Sequence, residues 1–238
     1  MFKNKKMSTL ITIAVSAVTA ICIAGLFLVA NYNMTTAMKK TAMNNMKTSL
    51  EARERIVDQY VRDSETILIS YSQAPIIADL LKNPNDKAIQ QRAQQYTESY
   101  FKKLTQWEGV YTSRWEDTYV LAHSNPKVVG ITTRKGDALK ALQNSMKEAK
   151  DIYNTGIIVS PASKKLILSM YCPVYDTDGS TIIGYVGGGP FAEGLKVLLD
   201  ELKVDGLENA EFAMINTETK THIFNKDEKK MATEIKEA

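Results

Sequence analysis

The sequence has few of the residues from which catalytic and metal sites are usually built. Its 238 residues include two cysteines and two histidines, and no Gly-x-Ser-x-Gly, His-Glu-x-x-His or phosphate-loop motif occurs. Cys22 lies in a long apolar run and Cys172 in a predicted strand, so the two cannot form a disulfide. We therefore expect a protein that is not an enzyme and that needs no cofactor and no metal ion.

An excess of charge of one sign is also missing from most of the chain. The formal net charge is +3, and it comes from Lys3, Lys5 and Lys6, because the rest of the chain carries 27 basic and 27 acidic residues. A formally neutral chain of this kind has no charge that would favour nucleic acid or an anionic membrane surface.

The longest run without a charged side chain extends from Met7 to Ala30. Its 24 residues, at about 1.5 Å each, are enough to cross a hydrocarbon core of about 30 Å. A cleaved secretory signal is the alternative, but signal apolar regions are shorter and no small-x-small site closes this run. The residue before Cys22 is isoleucine, which argues against a lipoprotein site. We predict an uncleaved transmembrane helix at 7–30, a cytoplasmic stub at 1–6, and the remainder outside the cytoplasm.

A long helix is predicted after the membrane segment, because residues 32–72 contain neither proline nor glycine. Pro75 interrupts it, and the turn at 83–86 can cap a second helix that ends near Leu104. We predict that residues 31–105 form a stalk and this second helix. A loose apolar stripe along the stalk is interpreted as a packing or dimer seam, through which we expect two copies to pair; it comprises Met34, Met38, Met46, Leu50, Ile56 and Tyr60.

The pattern changes to strands from about residue 106. Two helices are predicted within this part, at 138–149 and 191–202. Turn signals at 115–117, 176–180 and 217–220 join neighbouring strands into hairpins. The sequence therefore predicts an α+β fold in which a few helices lie across an antiparallel sheet. The predicted strands are 110–114, 118–123, 157–160, 166–175, 181–187, 211–216 and 221–225.

Residues 152–195 carry a resemblance to a known family. Tyr153 to Pro161, a strand, Pro173-Val-Tyr-Asp, a turn, Gly184-Tyr-Val-Gly-Gly and a helix follow in that order. This resembles the central signature of the extracytoplasmic Cache domain of bacterial chemoreceptors and sensor kinases, and the resemblance covers about residues 32–235. It implies a PAS-like antiparallel sheet of five or six strands, with a ligand pocket between the sheet and its covering loops.

The resemblance also implies a place within a larger receptor. Most such domains with a long first helix are double Cache units whose membrane-distal module binds ligand, so we predict that distal Cache module at 106–225 and the start of a second module at 226–238. A methyl-accepting chemotaxis receptor would continue beyond that point, and we expect this sequence to be a piece of one. Such a receptor would bind a small molecule and transmit a signal through its membrane helix. A sensor domain of a histidine kinase or cyclase, and a membrane-tethered dimerisation module without ligand, are the alternatives.

The relatives that bind α-amino acids have an Arg-x-Trp-Tyr run, a Tyr-x-Asp pair and an aspartate after the Gly-rich strand. This sequence keeps Arg134 and Tyr153 at the matching positions, but Thr155 and Gly189 stand where the two carboxylates would be. Because a buried ammonium group without an anion is costly, an amino acid ligand is disfavoured.

The remaining candidates could hold a small carboxylate through the arginine fork, or a flat heterocycle such as a nucleobase between aromatic rings. The predicted ligand-binding residues are Arg134, Tyr153, Thr155 and Tyr171, together with Arg114 and Trp115. Two alternatives remain open, because Tyr171 could be a core residue and the pair 114–115 a surface turn.

Overall fold

The structure is a computed structural model that describes residues 7–202, 211–217 and 219–235. It divides into two units, one containing the described residues up to Ala52 and the other beginning at Arg53. Three parts of the sequence predictions lie outside the described residues: the cytoplasmic stub at 1–6, one position of the turn at 217–220, and the last three residues of the predicted second module.

The predicted membrane segment and stalk form one uninterrupted helix, α1 (Met7–Ser72). By length and composition it contains a segment that could cross a membrane. The large apolar side chains from Met7 to Val29 are exposed, as lipid-facing side chains would be. The prediction that the stalk helix ends at Ser72 is confirmed. The stripe is corrected at its C-terminal end, because Ile56 and Tyr60 pack against buried clusters of the second unit.

Two shorter helices follow α1. Helix α2 (Pro75–Lys82) begins at Pro75, where the missing N–H costs no helical hydrogen bond. Helix α3 (Lys87–Phe101) is capped as predicted, since Asp86 accepts hydrogen bonds from the backbone N–H groups of Ala88 at 2.8 Å and Ile89 at 3.1 Å. It ends three residues before the predicted Leu104.

A five-stranded antiparallel sheet follows the helices, with strand order β2-β1-β5-β4-β3. This confirms the predicted α+β class with a PAS-like antiparallel sheet. Helices α4 (Gly136–Ala149) and α5 (Ala192–Glu201) lie within this part of the chain, and a separate two-stranded sheet pairs β6 (Met214–Asn216) with β7 (Thr221–Phe224). The strands of the large sheet are β1 (Trp107–Arg114), β2 (Val120–His123), β3 (Tyr153–Val159), β4 (Leu166–Tyr175) and β5 (Ile182–Pro190).

Three strands are longer than their predictions. Strand β1 begins at Trp107 rather than at residue 110. Strand β3 begins at Tyr153 rather than at residue 157, because a bulge between Asn154 and Ile157 breaks the alternation that marks a strand. Strand β5 continues through the glycine run to Pro190, although glycine has low strand propensity. The prediction that β4 covers 166–175 is confirmed at both ends.

One face of the sheet packs against the C-terminal part of α1 and against α2 and α3. Tyr71 lies at the centre of this core with 0% of its surface exposed. Its hydroxyl group is 2.7 Å from the Thr97 hydroxyl on α3 and 3.1 Å from the Thr112 hydroxyl on β1. Burial raises the pKa of Tyr71 to about 12. A buried hydroxyl with two partners stabilises the contact between helix and sheet, because neither partner is left unsatisfied.

The glycine run of β5 allows close approach of the neighbouring backbone. A Cβ atom at Gly189 would lie 1.7 Å from the carbonyl oxygen of Leu168 on β4. Only a residue without a side chain leaves these two strands their spacing here.

Gly189→Ala is therefore expected to lower the free energy of unfolding by about 3 kcal/mol, the upper end of the usual cost of overpacking. Urea denaturation of the detergent-solubilised chain, followed through Trp107 and Trp115 fluorescence, measures this. Gly25→Ala is the matched control, because its Cβ would have no neighbour within 4 Å. Equal stability of the two variants would contradict the close approach.

Candidate ligand-binding site

The other face of the sheet carries a row of ring side chains at one level of the strand register. Tyr111 on β1, Gly187 on β5 and Tyr171 on β4 are direct neighbours. His123 and Tyr153 continue the row on the two outer strands. The ring centroids are 5.5 Å apart for the His123–Tyr111 stack and 6.2 Å apart for the Tyr153–Tyr171 stack.

The glycine in the middle of this row makes room for a ring. A Cβ atom at Gly187 would lie 2.4 Å from the ring of Tyr111, so Tyr111 occupies the space that a side chain would fill. Tyr185, two residues earlier on β5, packs into the same cluster, 6.2 Å between centroids from both Tyr111 and Tyr171. The result is a continuous aromatic surface across the sheet.

Helix α4 covers this aromatic surface. Leu142 and Met146, four residues apart and thus on one side of the helix, pack against Tyr171 and Tyr185. The side-chain amide of Gln143 donates a hydrogen bond of 2.8 Å to the carbonyl oxygen of Trp115. These contacts attach α4 to the β1–β2 hairpin and to the sheet.

Arg134 lies in the segment before α4 and reaches the aromatic surface. Its Nη2 donates a 2.7 Å hydrogen bond to the hydroxyl oxygen of Tyr171, and its guanidinium carbon is 4.9 Å from the centre of that ring. Burial opposes the charge of Arg134, but the Tyr171 ring and hydrogen bond outweigh it and raise the pKa of Arg134 above its usual value. The side chain is therefore a permanent, partly buried cation.

Thr118 fixes the backbone of Arg134. The Arg134 N–H donates to the Thr118 hydroxyl oxygen at 2.8 Å, and that hydroxyl donates to the Arg134 carbonyl at 3.0 Å. Thr118 is buried and has φ of 53° at the end of the hairpin turn. Because the hairpin holds Thr118, the position of Arg134 is set by the turn at 115–117.

The fold resembles several solved sensor domains, although no family model and no curated protein matches the sequence. The sensor domain of the Vibrio cholerae histidine kinase DctB aligns with a TM-score of 0.63 and 12% identity, over 84% of this chain and 72% of that chain. A domain of a sensory box/GGDEF family protein from Vibrio parahaemolyticus aligns with a TM-score of 0.53 and 16% identity, over 82% of this chain and 74% of that one.

The third comparison is the sensory domain of a Campylobacter jejuni chemoreceptor with isoleucine bound. It aligns with a TM-score of 0.51 and 14% identity, over 71% of this chain and 66% of that chain. The chain therefore shares the PAS-like fold of these solved sensor domains. Identities of 12% to 16% establish the fold alone, and the chain spans from 66% to 74% of the length of these three structures.

Four of the six predicted ligand residues come together on the five-stranded sheet. Tyr171 contacts both Arg134, through a hydrogen bond, and Tyr153, through ring stacking. Trp115 packs at the edge of the same cluster, with Lys147 of α4 5.8 Å from its ring centre. The prediction that these residues bind a ligand stays a prediction.

The other two predicted residues are engaged elsewhere. Arg114 forms an ion pair with Asp117 across the hairpin turn and lies 4.6 Å over the ring of Tyr119. Thr155 donates its hydroxyl to the carbonyl oxygen of Ser169 at 2.9 Å. The structure does not bring Arg114 into the aromatic cluster, and the Thr155 hydroxyl is occupied at the bulge of β3.

Four further residues on the same face as Tyr171 were not predicted as site residues: Tyr111, Ser113, His123 and Tyr185. The signal that could have found them is strand alternation, because residues two apart on β1 share a face, as do residues two apart on β5. The predicted β5 ended at residue 187, and its pairing with β1 was not predicted, so strand alternation alone did not bring these residues together.

Two cavities lie away from the aromatic cluster, of about 280 Å³ beside Phe212 and Phe224 and of about 400 Å³ beside Tyr60 and Trp107. Neither is lined by Arg134, and both are open to solvent. The feature that distinguishes the aromatic cluster is the cation on its surface.

His123, at the end of the aromatic row, is held in its neutral form. Burial lowers its pKa from 6.5 to about 4, although the carboxylate of Glu108 partly opposes this. Its Nδ1 accepts a 2.8 Å hydrogen bond from the backbone N–H of Asn125. A proton on Nδ1 would break that bond and place a charge against the ring of Tyr111.

This arrangement predicts a stability that falls in mild acid. Between pH 6.5 and pH 4 the unfolded chain binds a proton at His123 that the folded chain does not, so stability is full above pH 6.5 and lost below it. The loss attributable to this group approaches about 3 kcal/mol near pH 4. His123→Gln should flatten the difference between denaturation curves measured at pH 7 and pH 4.5. An unchanged difference would contradict this assignment.

Proposed function

We propose that the chain is the extracytoplasmic ligand-sensing part of a membrane-anchored receptor. The observation that carries this proposal is a partly buried guanidinium group, Arg134, held over an aromatic surface beneath a covering helix. Among the residues that the structure describes, Arg134 makes no ion pair with a carboxylate. A partly buried cation with only a phenol as partner is expected to gain from an anionic ligand.

Ligand binding would exchange one partner of Arg134 for another. A carboxylate offers two acceptor oxygens in the geometry of the guanidinium fork, and the resulting charged hydrogen bonds are stronger than the one to Tyr171. A flat heterocycle that stacks on the Tyr153 and Tyr171 rings is the second ligand class, for which the aromatic row provides the surface. An amino acid remains disfavoured, because Thr155 and Gly189 stand where the two carboxylates of the amino-acid-binding relatives would be.

A route from the site to α1 runs through strand β3. Tyr153 stacks on Tyr171 on the face of the sheet that carries the aromatic row, which we call the ligand face. The next residue, Asn154, donates a 2.8 Å hydrogen bond to the carboxylate of Glu65 on α1. Successive strand residues face opposite sides of the sheet, so a shift of the Tyr153 ring moves its neighbour against the helix. We propose that ligand binding displaces α1 in this way and that the membrane helix transmits the displacement.

The receptor that we favour is a methyl-accepting chemotaxis receptor, with the N-terminus inside and the Cache module outside the cytoplasm. A histidine kinase or a cyclase would use the same input module, and the neighbours in structure include sensor domains of a chemoreceptor and of a histidine kinase. The neighbours are sensor domains rather than catalytic domains, which supports a role in binding.

The proposal predicts a ligand-dependent stability that requires Arg134. A ligand present at 100 times its dissociation constant adds about 2.7 kcal/mol to the free energy of unfolding. A thermal-shift screen of the detergent-solubilised chain against small carboxylates, nucleobases and amino acids should reveal such a class, and Arg134→Ala should abolish its shift.

Arg92→Ala is the matched control for this screen, because it removes the same side chain from an exposed position on helix α3, outside the cluster. It should keep the ligand shift. A folded protein that responds to no compound would contradict a sensor function, as would a shift that Arg134→Ala leaves intact.

We further propose that two copies pair through the stalk. Met34, Met38, Met46 and Leu50 expose between 48% and 63% of their surfaces along α1, and spacings of four and eight residues place neighbouring members of this stripe on related sides of the helix. Burying such an apolar stripe against a second copy removes it from water.

Pairing is tested by oxidative cross-linking in membranes, with Cys22→Ala as the background. Met38→Cys should form disulfide-linked dimers, whereas Thr36→Cys, two residues away and about 200° around the helix, should form far fewer. Cross-linking of equal extent at both positions would contradict a defined seam, and the absence of cross-links at residue 38 would contradict pairing through this stripe.

A further inference from the structure

Two hydroxyl groups beside Arg134 are buried without a hydrogen-bond partner among the described residues. Ser113 on β1 and Tyr185 on β5 face each other directly in the strand register, and both have 0% of their surface exposed. The hydroxyl oxygens of both lack a partner at hydrogen-bond distance and angle. Ser113 is two residues from Tyr111 and Tyr185 is two residues from Gly187, so both point to the ligand face.

Tyr171 connects these hydroxyls to the cation. The ring of Tyr185 lies 6.2 Å between centroids from that of Tyr171, whose hydroxyl accepts a hydrogen bond from Arg134. Burial raises the pKa of Tyr185, while the Thr133 and Ser113 hydroxyls, which lie close to it but outside hydrogen-bond distance and angle, and the charge of Arg134 oppose the rise. Tyr171 is thus the neighbour that Tyr185 and the guanidinium group share.

Unpartnered buried hydroxyls are unfavourable, and a folded protein usually satisfies them. The same sheet does so one residue away, because the Thr112 hydroxyl bonds to Tyr71 on the opposite face. Alanine at 113 and phenylalanine at 185 would fill the same space without the penalty. Their presence is understandable where a bound molecule supplies the missing partner.

We propose that Ser113 and Tyr185 form a second subsite that binds an uncharged oxygen of the ligand, while Arg134 binds its carboxylate. The ligand class is a small monocarboxylate with a hydroxyl or carbonyl oxygen close to the carboxylate. This inference rests on the proposed function and specifies the ligand of the same site.

The proposed subsite should select the second polar group of the ligand, the one not bound by Arg134, by its charge. Two hydroxyls can both donate to and accept from a neutral oxygen, but they carry no charge to balance a buried ammonium or a second carboxylate. A dicarboxylate and an amino acid should therefore bind more weakly than a hydroxy or keto acid of the same size.

Five three-carbon acids test this directly: lactate, pyruvate, alanine and propanoate, which differ only at the second carbon, and malonate, which has a second carboxylate in place of the methyl group. Isothermal titration of the detergent-solubilised full chain should give at least tenfold tighter binding of lactate or pyruvate than of the other three, a factor expected for one or two hydrogen bonds. Preference for alanine, malonate or propanoate overturns the inference.

Ser113→Ala and Tyr185→Phe delete one hydroxyl each. Each should weaken lactate binding about tenfold and leave propanoate binding unchanged. Thr112→Val, on the same strand but facing the helices, should leave the ratio of lactate to propanoate affinity as it is. Loss of binding for both acids alike, or no loss for lactate, overturns the assignment.

A measurement without ligand gives an independent test. If the two hydroxyls are unsatisfied in the free protein, Ser113→Ala and Tyr185→Phe should keep or raise its Tm, whereas Thr112→Val should lower it. A decrease in both subsite variants as large as that for Thr112→Val would show that the hydroxyls already have partners and would overturn the subsite.

The two proposals fail in different ways. If none of the five acids binds but another ligand class gives a shift that requires Arg134, the second subsite is wrong and the sensor function stands. If the whole compound screen gives no shift on the folded chain, the proposed function itself is wrong and this inference falls with it.

Discussion

The candidate site depends on the placement of one cation against aromatic rings. Arg134 is partly buried, bonded to Tyr171 through a single 2.7 Å hydrogen bond and without a carboxylate partner among the described residues. Such a group is held by the rest of the fold rather than by its own interactions, since a phenol compensates only part of the cost of removing a guanidinium from water. Three features keep Arg134 in place: the two hydrogen bonds between Thr118 and the Arg134 backbone, the β1–β2 hairpin, and helix α4, which packs on the aromatic rings.

The two faces of the sheet differ in how their polar groups are satisfied. On the helix face, Tyr71, Thr97 and Thr112 satisfy one another's hydroxyls, and apolar side chains fill the space around them. On the face with the aromatic row, glycine leaves room for a ring, and among the described residues the Ser113 and Tyr185 hydroxyls have no hydrogen-bond partner. The proposed route from the site to α1 depends on the fact that consecutive residues of a strand point to opposite faces. Asn154, bonded to Glu65, is the position at which this proposed route reaches α1.

Much of this architecture could be predicted from the sequence, and the limits have physical causes. The helix end at Ser72, the Asp86 cap and the bounds of β4 follow from local signals, namely the absence of helix breakers, capping chemistry and apolar continuity. The start of β3 did not follow, because a bulge interrupts its alternation. The aromatic row could not be assembled for a different reason. It depends on the register of five strands, and register is set by long-range pairing that a single strand does not encode.

Arg134 could be predicted as a site residue, whereas Ser113 and Tyr185 could not, for the same physical cause. Arg134 stands at a position of the family motif, so the sequence alone identifies it. A serine in β1 and a tyrosine in β5 are ordinary residues of a half-buried strand, and they become unusual only when the strands bring them face to face without partners. An unsatisfied polar pair is a property of the assembled sheet, and here it lies beside an unpaired cation. The unsatisfied hydroxyl pair and the cation without a carboxylate both depart from the usual rules of burial. One bound ligand that satisfies both explains them more simply than two separate causes.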